Sequence, residues 1–315
     1  MPQQVFVTSS LGGYFALPWL TNKLRTVAAP MYKFRQFCNV REAFGQRRGA
    51  TAMWDKVSAI STRGGTLSET STIPRRNFTI TQGSVVIREY GNAIDYTLKL
   101  EKLAEYEVPE IVRSRLRDDT AYTLDVAAGT KFVGAKFVAV ATTTASTVFV
   151  TTGANSLATS SNQAGWYGPS DINWRDCIDY MKKKNIPKYA GDDYAAIGSV
   201  NFFRGLYDYL EAAFAYTTRE HMLNGEIGKY YGCRGVEENN YLSNAKGSNA
   251  SGGEGVFIGD DAVWEAVAIP EEIRVNVPSD FGRDQGIAWY YLGGFEKVWE
   301  YSTDSEEHLL YYTSG

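Results

Sequence analysis

Between the strand-patterned runs Thr51–Ile60 and Asn77–Tyr90 lies STRGGTLSETSTIPRR, sixteen residues of Ser, Thr, Gly and charge with little to bury. Phe78 and Ile80 alternate with Thr79 and Thr81, the period-two pattern of a strand. A connection this long inside a compact domain is uncommon and usually functional. A lone two-stranded ribbon is marginal in water. Residues 50–97 therefore read as a long ribbon that needs a surface to lie on, with residues 61–76 as a projecting tip that touches another copy of the chain.

Residues 1–48 have a similar need. They lack a clean period, are interrupted by Gly12-Gly13, Pro18 and Pro30, and carry Phe34, Phe37 and Phe44 as isolated anchors. Such a segment reads as an extended arm packed on something else, a neighbouring subunit included. Its cations Lys23, Arg25, Lys33, Arg35, Arg41, Arg47 and Arg48 face Glu42 alone, a formal +6. From Glu254 to the end, 13 carboxylates face Arg274, Arg283 and Lys297, a formal −10. The whole chain is at −4, so the middle is neutral. This polarity suits head-to-tail packing between copies, or an arm that meets nucleic acid, against the plain alternative of a solvated surface.

The chain is otherwise ordinary. Its 315 residues suffice for one large domain or two small ones, with a core that needs no disulfide or metal. Hydrophobic residues at 44% and charged residues at 22% exclude wholesale disorder. No run approaches the roughly 18 apolar residues of a membrane span, so no membrane partner is expected. MPQQVFVTSSLGGYF lacks a signal-peptide layout, so no cleaved leader is expected either. Cys38, Cys177 and Cys233 are odd in number and widely spaced, which predicts free thiols, no zinc and a cytoplasmic setting.

The class that reads from the pattern is α+β. After Glu107, Pro109 fits a first helical turn and Gly129 the position past the end. Val112, Leu116 and Leu124 form the stripe of this helix, widened by Ile111, Tyr122 and Val126, with Arg113, Arg117, Asp118 and Asp125 on the remainder. Residues 130–165 read as two β-rich pieces and a serine-rich connector. Ser170 caps a helix that ends in Lys182-Lys183-Lys184, cations that suit a helix C-terminus. Strand Tyr194–Val200 feeds a helix with Phe203, Leu206, Leu210 and Phe214 on one face. Lys229–Glu237 reads as a strand and residues 241–255 as an exposed loop. The expected later strands are Gly255–Ile258, Trp264–Ile269, Ile273–Val277, Ile287–Leu292 and Val298–Tyr301.

Catalytic readings are weak. Only His221 and His308 are present, one at a helix end and one in an acidic tail, so histidine-driven chemistry has little to work with. There is no GxGxxG, and Gly225-Glu226-Ile227-Gly228-Lys229 lacks phosphate-loop spacing. Asp192-Asp193, Glu237-Glu238 and Asp260-Asp261 are adjacent acids of the kind that turns usually leave solvated. With 21 Tyr, 15 Phe and 7 Trp, a carbohydrate-active or carbohydrate-binding protein is the alternative from another class. Aromatics fit better as interface anchors. The chain reads as no enzyme, with no catalytic residue, no cofactor and no metal.

Three segments together resemble the major capsid proteins of tailed bacteriophages, in the family typified by the podovirus N4 capsid protein. They are TLSETSTIPRRNFTITQGSVVIREYGNAIDYT, with Tyr90-Gly91 and Asp95-Tyr96-Thr97; Gly225-Glu226-Ile227-Gly228 with the strand ending Gly235-Val236-Glu237-Glu238; and Val256-Phe257-Ile258-Gly259-Asp260-Asp261-Ala262 with Asp280-Phe281-Gly282-Arg283 and Ala288-Trp289-Tyr290. The element order is similar over nearly the whole chain. The resemblance implies a Hong Kong 97-like capsid fold: N-terminal arm over 1–48, extended β-ribbon loop over 49–97, peripheral domain with a spine helix over 98–165, axial domain over 166–283, and a return to the peripheral domain over 284–315. It implies hexamers and pentamers closing into an icosahedral shell around double-stranded DNA, in a virion assembled in the host bacterial cytoplasm. The partners implied are the chain itself, a separate scaffolding protein, a portal, a cement or decoration protein and the packaged DNA. An encapsulin-type cellular shell is the alternative within the fold. The subunit-interface residues expected on the extended loop are Arg63, Leu67, Glu69, Ile73, Arg75 and Arg76. The seven cations of the arm are expected to meet the acidic region of a neighbour, or else the DNA.

Overall fold

The computed structural model describes residues 32–42, 49–58, 60, 64–70, 72–73, 75, 77–104, 106–143, 146–151, 168–189, 191–214, 229–246, 252–277, 283–304 and 306–313. A 3-10 turn at Phe34–Phe37 leads into β1 (Asn39–Glu42). The ribbon strands β2 (Thr51–Val57) and β3 (Ile80–Val86) follow, then β4 (Arg88–Thr97), α1 (Leu98–Leu103) and α2 (Val108–Val133). The hairpin β5 (Val138–Thr143) and β6 (Ser146–Val150) precedes α3 (Asp171–Lys183), β7 (Tyr194–Gly198) and α4 (Val200–Phe214). Next come β8 (Lys229–Tyr230), β9 (Cys233–Glu237) and β10 (Glu254–Ile258). The chain closes with β11 (Val263–Val275), β12 (Asp284–Lys297), α5 (Tyr301–Asp304) and β13 (Leu309–Thr313).

Two larger sheets carry the body. One has the order β6-β5-β13-β10-β7-β9-β8, the other β1-β11-β12-β4. The seven-stranded sheet is buried on both faces, which strand alternation makes possible. Val140, Ile197, Val256, Ile258 and Tyr311 face the cluster that holds α2. Ala139, Ala196, Phe257, Leu310 and Tyr312 face Trp174, Ile178 and Met181 of α3 and Phe202, Phe203 and Leu206 of α4. The four-stranded sheet turns Ile287, Trp289, Tyr291 and Phe295 toward the same α2 stripe of Val112, Leu116, Leu124 and Phe132.

The structure corrects several expectations. Gly129 does not end the helix. It lies inside α2, where a Cβ would stand 2.9 Å from the Tyr241 ring and 3.1 Å from Phe34, and the chain leaves the helix at Gly134. The glycine serves close packing, and residues 130–133 are helical rather than β. Tyr122 is exposed, outside the buried stripe, whereas Asp125 is buried. Ser170 does cap α3, its Oγ accepting from the Asn173 amide at 3.3 Å. Lys229–Glu237 is a tight hairpin turning at Tyr231 and Gly232, both at positive φ. Leu242 is buried, so the segment read as an exposed loop contributes to the core. Trp264–Ile269 and Ile273–Val277 merge into one irregular strand, β11. Val298 is buried but outside any strand, and Tyr301 starts α5.

The largest correction is at the C-terminus. The stretch read as an acidic tail leads from Glu306–His308 straight into β13, an interior strand between β5 and β10. Glu307 is buried and accepts from the amides of Lys136 (2.7 Å) and Phe137 (3.2 Å) and from Lys297 Nζ (3.0 Å). Burial raises its pKa above the ordinary carboxylate value, although Lys297 and the amides pull it down. His308 is buried too, with Nδ1 2.5 Å from the Asp260 carbonyl oxygen. His221 and the Gly225–Gly228 segment lie outside the described residues.

Candidate assembly interface

β2 and β3 pair antiparallel from Thr51↔Val86 to Val57↔Ile80. The expected second strand is split: Ile87 separates β3 from β4, and β4 joins the four-stranded sheet against β12. The ribbon's inner face, Ala52, Trp54 and Val85, packs on Ala266, Val298, Trp264 and Trp299 of the body. Trp54 packs against Trp264 with the rings tilted at 47° and their centroids 4.9 Å apart. Opposite Trp54 stands Gly83, where a Cβ would meet the indole at 2.3 Å, so only glycine lets the ring lie flat across the ribbon.

Lys56 shares this inner face. Its ammonium pairs with the Asp304 carboxylate of α5, and both side chains are 4% exposed. Asp304 also accepts from the Thr81 hydroxyl at 2.8 Å and the Glu300 amide at 3.0 Å. One carboxylate thus holds both ribbon strands. Burial alone would raise its pKa, but these donors hold it below the ordinary value. The sequence did carry a signal for Lys56, a lysine on the apolar parity of T-A-M-W-D-K-V.

Among the described residues nothing covers the outer face. Met53 (64% exposed), Val57, Ile80 and Val86 project from it, with Ile60 and Phe78 beside the strands. Leu67, Glu69, Ile73 and Arg75 of the expected interface set are likewise exposed, while Arg63 and Arg76 lie outside the described residues. Soluble monomers rarely leave large contiguous apolar patches open.

The arm behaves differently where it is described. Phe34 is fully buried beside Phe132 and Tyr241, and Phe37 packs on Tyr189, so both anchor the chain on its own subunit. β1 then pairs in parallel with the Trp264–Val267 part of β11. Arg35 also acts within the subunit. Its Nε donates to Glu265 at 3.0 Å, and its two terminal nitrogens grip Glu271 at 2.9 and 3.0 Å. Glu265 is buried and also accepts from the Tyr291 hydroxyl at 2.9 Å. The charge complementarity between arm and C-terminal region is therefore partly satisfied inside one chain. Lys33 is half-buried, and Arg41 is exposed, lying 4.7 Å over the Trp264 ring. Lys23, Arg25, Phe44, Arg47 and Arg48 lie outside the described residues.

Asp192 and Asp260 are exposed in turns, as expected of adjacent acids, but their neighbours and Glu238 are engaged. Asp193 is buried against Lys229 and Arg234 Nε (3.1 Å), which hold its pKa down. Glu238 accepts from the amides of Asn240, Tyr241 and Leu242, ordering the turn that follows β9. Asp261 accepts from Asn39 at 2.8 Å and the Trp264 indole. Cys38, Cys177 and Cys233 are buried and unbridged. Among the described residues no helix is long and apolar enough to cross a membrane, and no cluster has the make-up of a metal site.

No protein-family model and no curated protein matches the sequence. Solved structures do match the fold. The capsid structure of the cyanophage P-SCSP1u aligns at TM-score 0.68 with 10% identity, over 96% of this chain and 94% of that one. The capsid of Ralstonia phage GP4 aligns at 0.67 with 11% identity, over 99% and 98%. The capsid of cyanophage Pam1 aligns at 0.63 with 14% identity, over 100% and 99%. From end to end, this chain has the fold of these phage capsid subunits.

Proposed function

We propose that this chain is the major capsid protein of a tailed bacteriophage, a structural and non-enzymatic protein of the virion. The observation that carries the reading is the uncovered outer face of the ribbon on a fold shared, over its full length, with phage capsid subunits. A protein acting alone has no use for such a face, whereas a shell subunit covers it with its neighbours. Obligate interfaces of this kind bury ~2,000 Å² or more.

The finer reading is a Hong Kong 97-like subunit of the podovirus N4 type. In it the ribbon is the extended loop, α2 is the spine helix of the peripheral domain, and the α3–α4 side of the seven-stranded sheet belongs to the axial domain. Copies form hexamers and pentamers that close into an icosahedral shell around double-stranded DNA. A separate scaffolding protein, a portal and a cement or decoration protein act with it during assembly in the bacterial cytoplasm. Gradient sedimentation of the chain produced in bacteria tests the proposal. Capsomers and megadalton shells are the expected species, and a 35.0 kDa monomer at every concentration would contradict it.

A further inference from the structure

β11 and β12 do not pair evenly. The register is regular from Val263↔Lys297 to Val267↔Gly293, and regular again from Glu272↔Tyr290 to Val275↔Ile287. Between these blocks β11 takes five steps, Val267 to Glu272, while β12 takes three, Gly293 to Tyr290. The irregular stretch contains Pro270, which has no amide hydrogen to give to a ladder. Extra residues of this kind bend a strand and interrupt its pairing. β4, by contrast, meets β12 without a break from Arg88 to Thr97. The irregularity therefore divides β11 alone, into an inner and an outer block. β1 flanks only the inner block, at Trp264–Val267, so among the described residues the outer block is an edge of the sheet.

Arg35 spans this break. Its guanidinium donates to Glu265 in the inner block and to Glu271, which borders the outer one. The base of the side chain is fixed on α2: the Arg35 amide donates to Asp125 at 3.2 Å, and Phe34 beside it is fully buried. The outer block itself is loosely seated. Ile273 stands opposite Trp289, hence on the face of the sheet turned to α2, yet Ile273 is 43% exposed and Trp289 only 3%. A gap of about 300 Å³ lies beside it, between Arg117, Thr120 and Ala121 of α2 and Glu271, Ile273 and Trp289 of the sheet.

We propose that Arg35 is a strut that holds the outer block of β11 off α2, and that releasing Glu271 lets the block close over the gap and bury Ile273. The open state keeps an ion pair that is half exposed and therefore weak. The closed state exchanges it for burial of an apolar side chain, which favours closure. A balance of this kind tips when anything binds the two states unequally. A shift of the arm root, or a foreign carboxylate that takes Arg35, is such an event. The arm root is thereby coupled to the outer end of the four-stranded sheet. The device belongs to the single subunit, and it goes beyond the shell reading without depending on it.

The test uses the full-length chain carrying Thr120→Cys and Ile273→Cys, one on each wall of the gap, with the three native thiols buried. Glu271→Gln added to this parent frees the outer block and leaves the buried Glu265 paired with Arg35. Arg35→Lys is the second variant, since a single ammonium lacks the planar fork that grips two separate carboxylates. Each should speed disulfide formation between the new cysteines about fivefold, the worth of a half-exposed ion pair. Amide exchange in β10 and β13 should stay as in the parent. Bridging that is unchanged or slower in either variant would overturn the strut. Faster bridging with equally faster exchange in β10 and β13 would overturn it too, as the mark of a subunit loosened throughout.

Discussion

The ammonium of Lys56 and the carboxylate of Asp304 are paired out of water, 248 residues apart in sequence, and join the middle of the ribbon to the short helix before the last strand. Removing one partner leaves a buried charge unmatched, which costs about 3–5 kcal/mol, whereas an apolar pair of similar volume is often neutral or stabilising. Lys56→Ala or Asp304→Ala should therefore lower subunit stability by about that amount, with faster amide exchange in β2 and β3. Lys56→Met with Asp304→Leu should recover most of it. Urea denaturation of the three variants checks this, and a double variant as unstable as the singles would contradict the pairing.

Gly83 makes room for Trp54. In Gly83→Ala the new methyl lands on an indole that is itself buried, so the ring must leave its seat against Trp264. Overpacking of this kind costs about 1–3 kcal/mol. Tryptophan emission should shift to the red as Trp54 meets water, and an unchanged spectrum with unchanged stability would contradict the ribbon seat.

Two groups of carboxylates have opposite pH signatures. Asp125, Glu238 and Glu307 have pKa values raised by burial, so the folded chain binds protons at these sites before the unfolded chain does. Their contribution to stability grows as pH falls from neutrality toward the ordinary values of 3.8 and 4.5. Glu271 is held low by Arg35, Asp193 by Lys229 and Arg234, and Asp304 by Lys56 and its other donors against the pull of burial. Their contribution is present above the ordinary values and is lost as pH falls below them. The Tm of the unassembled subunit should hold or rise from pH 7 to about pH 5 and fall below about pH 4. A steady decline from pH 7 downward would contradict these assignments.

Deleting residues 64–73 removes Leu67, Glu69 and Ile73, which are exposed and add nothing to the described core. The shortened chain should stay folded and soluble, with shell yield sharply reduced. Each subunit contact weakened by ~1.4 kcal/mol loses tenfold in association constant, and a shell multiplies that loss over many contacts. Particle yield on a density gradient reads the outcome, and wild-type yield would remove the tip from the interface.

Local pattern carried much of the fold. The alternation around Phe78 and Ile80 marked a ribbon, and Leu116 and Leu124 marked the buried face of α2, because each depends only on chain neighbours. What escaped depends on distant partners. Gly129 looks like a helix stop until Tyr241 and Phe34 arrive from elsewhere to press on it. Residues 306–313 look like an acidic tail because Glu307 finds its amides and its lysine 171 and 10 residues away. Alternation puts Ile80 on an apolar side of the ribbon, but it does not say which side rests on the body, and Ile80 is on the side left open. For the arm, the charge pattern was legible, but that Arg35 meets Glu265 and Glu271 of its own chain was not.

Single-particle cryo-electron microscopy of the purified full-length protein decides whether this chain is one subunit of a closed shell. Rings of six and five copies joined into a closed particle are expected, with the outer face of each ribbon covered by a neighbour. Discrete single chains at high protein concentration, with Met53, Val57 and Ile80 open to solvent, would contradict it.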